Sequence, residues 1–133
     1  NRSPRLGWRN PPAGTKSFAI TVYDPDAPTG SGWWHWVVIN IPSTTSMLHE
    51  SAGNPTLRLL PSETKQVPTD FGQPGFGGAC PPVGEKPHKY IFTVYALNTE
   101  KIDLPNNATA AFAGFMIHAH LIEKVSVTAV YGR

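Results

Sequence analysis

Four stretches of the chain have the hydrophobic pattern of β-strands. Three are continuous apolar runs rich in Val, Ile and aromatic residues, and the fourth alternates between apolar and polar residues near the C-terminus. Runs of this length and composition predict buried or half-buried strands. They cover residues 17–23, 34–41, 90–97 and 125–131.

The two-residue repeat of a β-strand assigns the side chains of two of these runs to faces. Residues two apart point the same way, so polar groups at the head of a run share a face with its apolar residues. We therefore predict two sets that each lie on one face: His35, Val37 and Ile39 in one run, and His88, Tyr90, Phe92 and Val94 in another.

One helix is predicted near the C-terminus, whereas residues 42–88 hold many Pro, Gly, Ser and Thr and predict loops with one or two short strands. Asn107 is a good N-cap, and the Ala-rich stretch after it has high helix propensity. Five apolar residues fall on one side of this helix at helical spacing: Phe112, Phe115, Met116, Ala119 and Ile122.

Together these elements predict a mainly β fold with its clearest helix near the C-terminus, and a sandwich or closed sheet would bury the strands. A chain of 133 residues suits a single domain over residues 1–133. The 40% hydrophobic and 15% charged residues exclude a disordered protein. A net charge of +2 without a basic run argues against a nucleic-acid partner, and no apolar stretch is long enough for an integral membrane segment.

The chain opens with Asn1 in what reads as the middle of a loop, so we expect an N-terminal segment to be lacking. No targeting segment is visible, and one cysteine cannot form an internal disulfide. The compartment stays open between periplasmic or secreted and cytoplasmic.

The first cluster of chemically useful residues is Asp24-Pro25-Asp26-Ala27-Pro28, which follows the first long strand. The prolines fix φ and donate no backbone hydrogen bonds, so the segment predicts a stiff turn. Its two carboxylates either cap loop amides or face a pocket and accept a hydrogen bond from a histidine.

Histidines and a tyrosine offer donors at two strand starts. His35 lies among three tryptophans, and His88 and Tyr90 point the same way two residues apart. Each alone is compatible with ordinary packing. Together they predict a small polar pocket rimmed by aromatic residues and prolines, if the fold brings them together.

A glycine-rich segment, Gly77-Gly78-Ala79-Cys80-Pro81-Pro82, precedes the second histidine. Glycines allow a close backbone approach to a ligand, and their N–H groups bind anions. Cys80 is a poor candidate nucleophile because Pro81 has no N–H to donate to an oxyanion. The set Asp24, Asp26, His35 and His88 is a conceivable metal site, although no short ligand spacing supports one.

These residues together resemble the phosphatidylethanolamine-binding protein family, also called the Raf kinase inhibitor protein family, in its bacterial and archaeal branch. The resemblance covers almost the whole chain. It rests on Ser3-Pro4-Arg5-Leu6-Gly7-Trp8, Asp24-Pro25-Asp26-Ala27-Pro28, Trp34-His35-Trp36-Val37-Val38 and Gly78-Ala79-Cys80-Pro81-Pro82 with His88-Lys89-Tyr90. Lys89 departs from the family's usual arginine, which would lose a bidentate contact.

The resemblance implies an antiparallel β-sandwich with one or two short helices and a small anion pocket at one end. Phospholipid headgroups and phosphorylated small molecules or peptides are its implied ligands. In this branch a cysteine often precedes the serine-proline segment, which implies a disulfide partner for Cys80. The ligand-binding residues carried over are Asp24, Asp26, Pro28, His35, Gly78, Pro82, His88 and Tyr90.

We therefore expect a non-enzymatic binding protein without catalytic residues, cofactor or metal, which binds a phosphate-like anion and regulates a kinase or protease. A homodimer is compatible with the sequence. Because an anion beside Asp24 and Asp26 needs a positive charge nearby, we expect the pKa of His35 or His88 to lie above about 6.5. The alternatives are a protease inhibitor that acts through an exposed loop and a metal-assisted hydrolase that uses the Asp and His residues.

Overall fold

The computed structural model describes all residues 1–133, and its main feature is a five-stranded antiparallel sheet. The strand order in this sheet is β5-β3-β2-β6-β7, and β1 pairs with β4 in a separate two-stranded sheet. The elements are β1 (Leu6–Gly7), β2 (Ser17–Asp24), β3 (Trp33–Pro42), β4 (Met47–Leu48), β5 (Lys65–Gln66), β6 (His88–Leu97), α1 (Ala110–Ala119) and β7 (Leu121–Tyr131). The predicted mainly β fold is confirmed, as are its four long strands and the short strands within 42–88.

The central strands β2, β3 and β6 carry apolar side chains on both faces of the sheet, and both faces are buried. On one face, Ala19 and Val37 pack in a cluster with Ile117 of α1. On the other face, Ile20 and Trp36 pack in a second cluster with Leu48 of β4. The helix and the small sheet are therefore the outer layers that cover the central sheet.

The helix begins later than predicted. Its N-cap is Thr109, whose side-chain oxygen accepts a hydrogen bond from the Phe112 N–H at 3.0 Å. Asn107 lies in the preceding turn, which the Ala108 N–H closes by donating to the Pro105 carbonyl. The prediction of Asn107 as N-cap was wrong because a second capping residue follows two positions later.

The predicted apolar side of the helix was also wrong for most of its members, since only Met116 packs against the core and Ile122 belongs to β7. The helix buries the small residues Ala110 and Ala113 together with Ile117 against the sheet, whereas Phe112 and Phe115 are 45% and 71% exposed. Small side chains let a helix approach the sheet closely, so side-chain size is a poor guide to which face is buried. At ten residues α1 is too short to cross a bilayer, and no helix meets that requirement.

Strand β7 forms one edge of the central sheet and pairs only with β6. Residues 122–131 of this strand are exposed, including Val125, Val127 and Val130 at 61–70%. The opposite end of the sheet order is the two-residue strand β5.

Candidate functional site

A β-bulge turns His35 toward the site. Val22 pairs with Trp36 while Tyr23 pairs with Trp34, so His35 is an extra residue in β3 with no partner in β2. Trp34 consequently packs with the cluster that contains Val37. The prediction that His35 shares the face of Val37 and Ile39 was wrong, because a bulge shifts the alternation of a strand by one residue.

His35 of β3 lies against the aromatic ring of Tyr90 of β6. The two ring centroids are 5.3 Å apart, and Phe71 contacts the same imidazole at 5.4 Å. Tyr90 shares the β6 face of Phe92 and Val94, which pack in the second cluster, so the alternation predicted for β6 holds. The bulge in β3 therefore brings together side chains that regular alternation would separate.

The end of β2 and the start of β6 hold a buried ion pair. His88 Nδ1 lies 2.8 Å from Asp24 Oδ2, and each residue is only 3% exposed. The hydrogen bond to Asp24 raises the pKa of His88 above its usual value, despite an opposing effect of burial. The other oxygen of Asp24 accepts the Asp26 N–H at 2.8 Å, which fixes the carboxylate.

The pKa of His35 is shifted in the opposite direction. Its Nδ1 lies 2.9 Å from the Gly77 carbonyl, which can only accept, so Nδ1 carries the ring proton. Burial lowers the pKa of His35 below its usual value and outweighs the hydrogen bond to Gly77. The expected rise in pKa therefore occurs at His88 and not at His35.

These side chains line a cavity of about 290 Å³ at one end of the sheet. Tyr90 is 4% exposed, and its hydroxyl has no hydrogen-bond partner. Burial raises the pKa of Tyr90 to about 12, so the phenol keeps its proton at neutral pH. The lining residues are Asp24, Ala27, Pro28, Thr29, Trp33, His35, Phe71, Cys80, Pro81, Pro82, His88 and Tyr90.

Six of the eight predicted site residues line this cavity, and Asp26 and Gly78 do not. Asp26 is exposed, and its carboxylate accepts the Lys89 N–H at 2.8 Å, so it braces the turn against β6. Gly78 donates its N–H to Asn1 Oδ1, and Gly77 donates to the His35 carbonyl. Both loop amides are already bonded, so the prediction that they bind an anion is not supported by this geometry.

Lys89 has no place in the cavity either. It is exposed and does not line the cavity, so a lysine at this position loses no contact there. Sequence reasoning missed Trp33 and Phe71, whose rings meet edge to face at 5.4 Å beside His35. Phe71 lies in the loop-rich segment, where no periodicity could assign its side chain to the site.

Cys80 is a free, exposed thiol that also lines the cavity. No hydrogen bond joins it to His35 or His88, so no base is positioned to activate it. No group of three or more His, Cys, Asp and Glu side chains is arranged to hold a metal ion.

Comparison with known proteins gives matches along the whole chain. The family model described as phosphatidylethanolamine-binding protein matches residues 1–132. The UPF0098 protein YbcL of Escherichia coli is 55% identical over 131 residues, which are 98% of this chain and 72% of that protein. The UPF0098 protein YbhB of Escherichia coli is 52% identical over 131 residues, which are 98% and 82% of the two chains.

A solved structure gives the same result. The crystal structure of Escherichia coli YbcL, described as a new member of the mammalian PEBP family, is similar with a TM-score of 0.97 and 54% identity. The aligned region covers 100% of this chain and 81% of the YbcL chain. The chain belongs to the phosphatidylethanolamine-binding protein family.

Proposed function

We propose that this protein binds a phosphate-type anion in the cavity between His35, His88 and Tyr90, without catalysing a reaction. The observation that carries the proposal is the buried Tyr90 hydroxyl, which has no partner and borders the cavity. A buried donor left without an acceptor costs about 1–3 kcal/mol. A bound oxyanion would remove that cost by accepting the phenol proton.

One local feature, the His88 ring, favours an anionic ligand over a neutral one. The pKa of His88 is raised by Asp24, which favours the positively charged form of its imidazole at the edge of the cavity. Asp24 uses one oxygen for His88 and the other for the Asp26 N–H, so it has a positioning role similar to the carboxylates that orient metal-bound histidines. The ligand-facing donor is then the Tyr90 hydroxyl, and the His88 ring lies beside it in the cavity wall.

The absence of an activated nucleophile supports binding without catalysis. Cys80 has no base bonded to it, and the side chains around the cavity do not form a metal-binding group. We therefore favour a binding protein over the metal-assisted hydrolase. We also propose that the protein regulates a kinase or protease. Which one it regulates would depend on the molecule that carries the bound phosphate group.

NMR titration of the histidine ring protons with inorganic phosphate tests this function. We expect the His35 and His88 rings to shift together and to saturate, while exposed His49 stays unchanged as an internal control. Shifts at all histidines in proportion to added salt, or none at His35 and His88, would contradict the proposed function.

A further inference from the structure

His35 presents an acceptor to the cavity, and this restricts which anions fit. Its Nδ1 proton is committed to the Gly77 carbonyl at 2.9 Å, so the neutral ring has its lone pair on Nε2. No protein group bonds to Nε2. A fully deprotonated oxyanion offers only lone pairs, so it would face this nitrogen without a hydrogen bond.

Glu85 adds negative charge to the same site. Its Oε2 lies 3.4 Å from His88 Nε2, on the opposite side of the ring from Asp24. This oxygen is buried, and apart from the contact with His88 it has no hydrogen-bond partner. The His88 charge is therefore shared between two carboxylates before any ligand arrives, which penalises a dianion more than a monoanion.

The charges around the cavity do not offset this penalty. Asp70 acts on His35 from the loop-rich segment, and Arg133 acts on Tyr90 from the C-terminus. The Tyr90 phenol, whose pKa is raised to about 12, keeps its proton at neutral pH and adds no charge. Three carboxylates, those of Asp24, Glu85 and Asp70, are therefore set against the Arg133 guanidinium and the His88 ring, whose raised pKa favours its charged form.

We propose that the cavity selects a phosphomonoester that carries one proton, whose P–OH donates to His35 Nε2 while another of its oxygens accepts from the Tyr90 hydroxyl. This inference rests on the proposed function and narrows its ligand class. A phosphodiester has the same single negative charge but no P–OH, so it lacks the group that His35 accepts. A phosphomonoester dianion lacks the proton and is repelled by the negative charge of Glu85.

Methyl phosphate and dimethyl phosphate test the proposal as matched probes in calorimetric titrations of the intact chain. Near pH 6, close to the second pKa of a phosphomonoester, we expect methyl phosphate to bind at least about tenfold more tightly than dimethyl phosphate. Between about pH 6.5 and 8 its affinity should fall by up to about tenfold per pH unit as the P–OH is lost. Dimethyl phosphate has no proton that titrates in this range, so its affinity should fall less steeply. Any remaining change of its affinity with pH would come from titrating groups of the protein.

The outcomes separate this inference from the proposed function. Equal affinities and equal pH slopes for the two probes would overturn the inference and leave anion binding intact. Binding of neither probe at any pH would contradict the proposed function, and the inference with it. Because the comparison uses the unmodified chain, it does not depend on a variant that folds.

A charge variant tests the part of the argument that concerns Glu85. Glu85→Gln should tighten methyl phosphate binding at pH 8 by at most about five- to thirtyfold, the effect of removing a unit like charge from a separation taken as about 4 Å at a dielectric constant of about 40 to 80. The gain is smaller to the extent that Glu85 also raises the pKa of His88. Glu100→Gln makes the same change of net charge beyond the far end of β6 and should have little effect. Equal effects of the two variants would show that Glu85 does not act on the ligand.

Discussion

At the scale of single residues, the pKa values of two histidines in one cavity are shifted in opposite directions. His88 has a carboxylate 2.8 Å away, which favours its charged form, whereas His35 has a carbonyl at 2.9 Å and loses more from burial than it gains. The sequence predicted that Asp24 or Asp26 would accept a bond from a histidine. It could not assign the partners, because burial and distance depend on how β2, β3 and β6 meet.

The two aspartates of the turn should have separable effects on His88. Asp24→Asn removes the carboxylate bonded to Nδ1, and we expect the pKa of His88 to fall. Asp26→Asn keeps an oxygen that can accept the Lys89 N–H, and we expect little change in the pKa of His88. NMR titration of the His88 ring measures both. A larger fall in the Asp26 variant would contradict the assignment of Asp24 as the partner.

At the scale of elements, the strands were predictable and the irregularities were not. Continuous apolar runs identified β2, β3 and β6 because both faces of these strands are buried. The bulge at His35 adds one residue without changing the composition of the run, so alternation assigned this side chain to the wrong face. The site therefore depends on a local feature that the hydrophobic pattern does not encode.

The position of the helix N-cap gives a prediction at this scale. Thr109→Ala removes the acceptor for the Phe112 N–H, and we expect it to lower the free energy of unfolding by about 1 kcal/mol. Asn107→Ala should cost less, because Asn107 precedes the cap and its side chain has no hydrogen bond. Urea unfolding of the two variants measures the difference. The reverse order would restore Asn107 as the residue that caps the helix.

At the scale of the whole molecule, the cavity lies where the ends of three central strands meet. Asp24 ends β2, His88 begins β6, and the bulge in β3 supplies His35. The family motifs predicted which segments converge, because they occupy these strand ends. Loop residues such as Phe71 and Glu85 escaped prediction, since the path of the loop-rich segment is set by tertiary contacts.

The two histidines should make the stability of the fold depend on pH in opposite directions. The raised pKa of His88 stabilises the folded state below about pH 6.5, and this is lost as pH rises through its folded pKa. The lowered pKa of His35 gives stability that is complete above about pH 6.5 and is lost as pH falls through its folded pKa. We expect His88→Gln to reduce the alkaline decline and His35→Gln to reduce the acidic decline.

Urea unfolding between about pH 5.5 and 8.5 measures these declines. The carboxylates change charge mainly below this range, so the histidines dominate the difference between variants. If both variants altered the same side of the profile, the opposite directions of the two pKa shifts would be wrong.

The central claim is that the unpartnered Tyr90 hydroxyl is a donor to a bound phosphate-type anion. Calorimetric titration of Tyr90→Phe with methyl phosphate near pH 6 tests it most directly, with Tyr131→Phe as the control on the neighbouring strand. We expect the Tyr90 variant to lose about 1.5–3 kcal/mol of binding free energy, the value of a hydrogen bond to a charged group, while the Tyr131 variant binds like the unmodified chain. Undiminished binding by Tyr90→Phe would contradict the account.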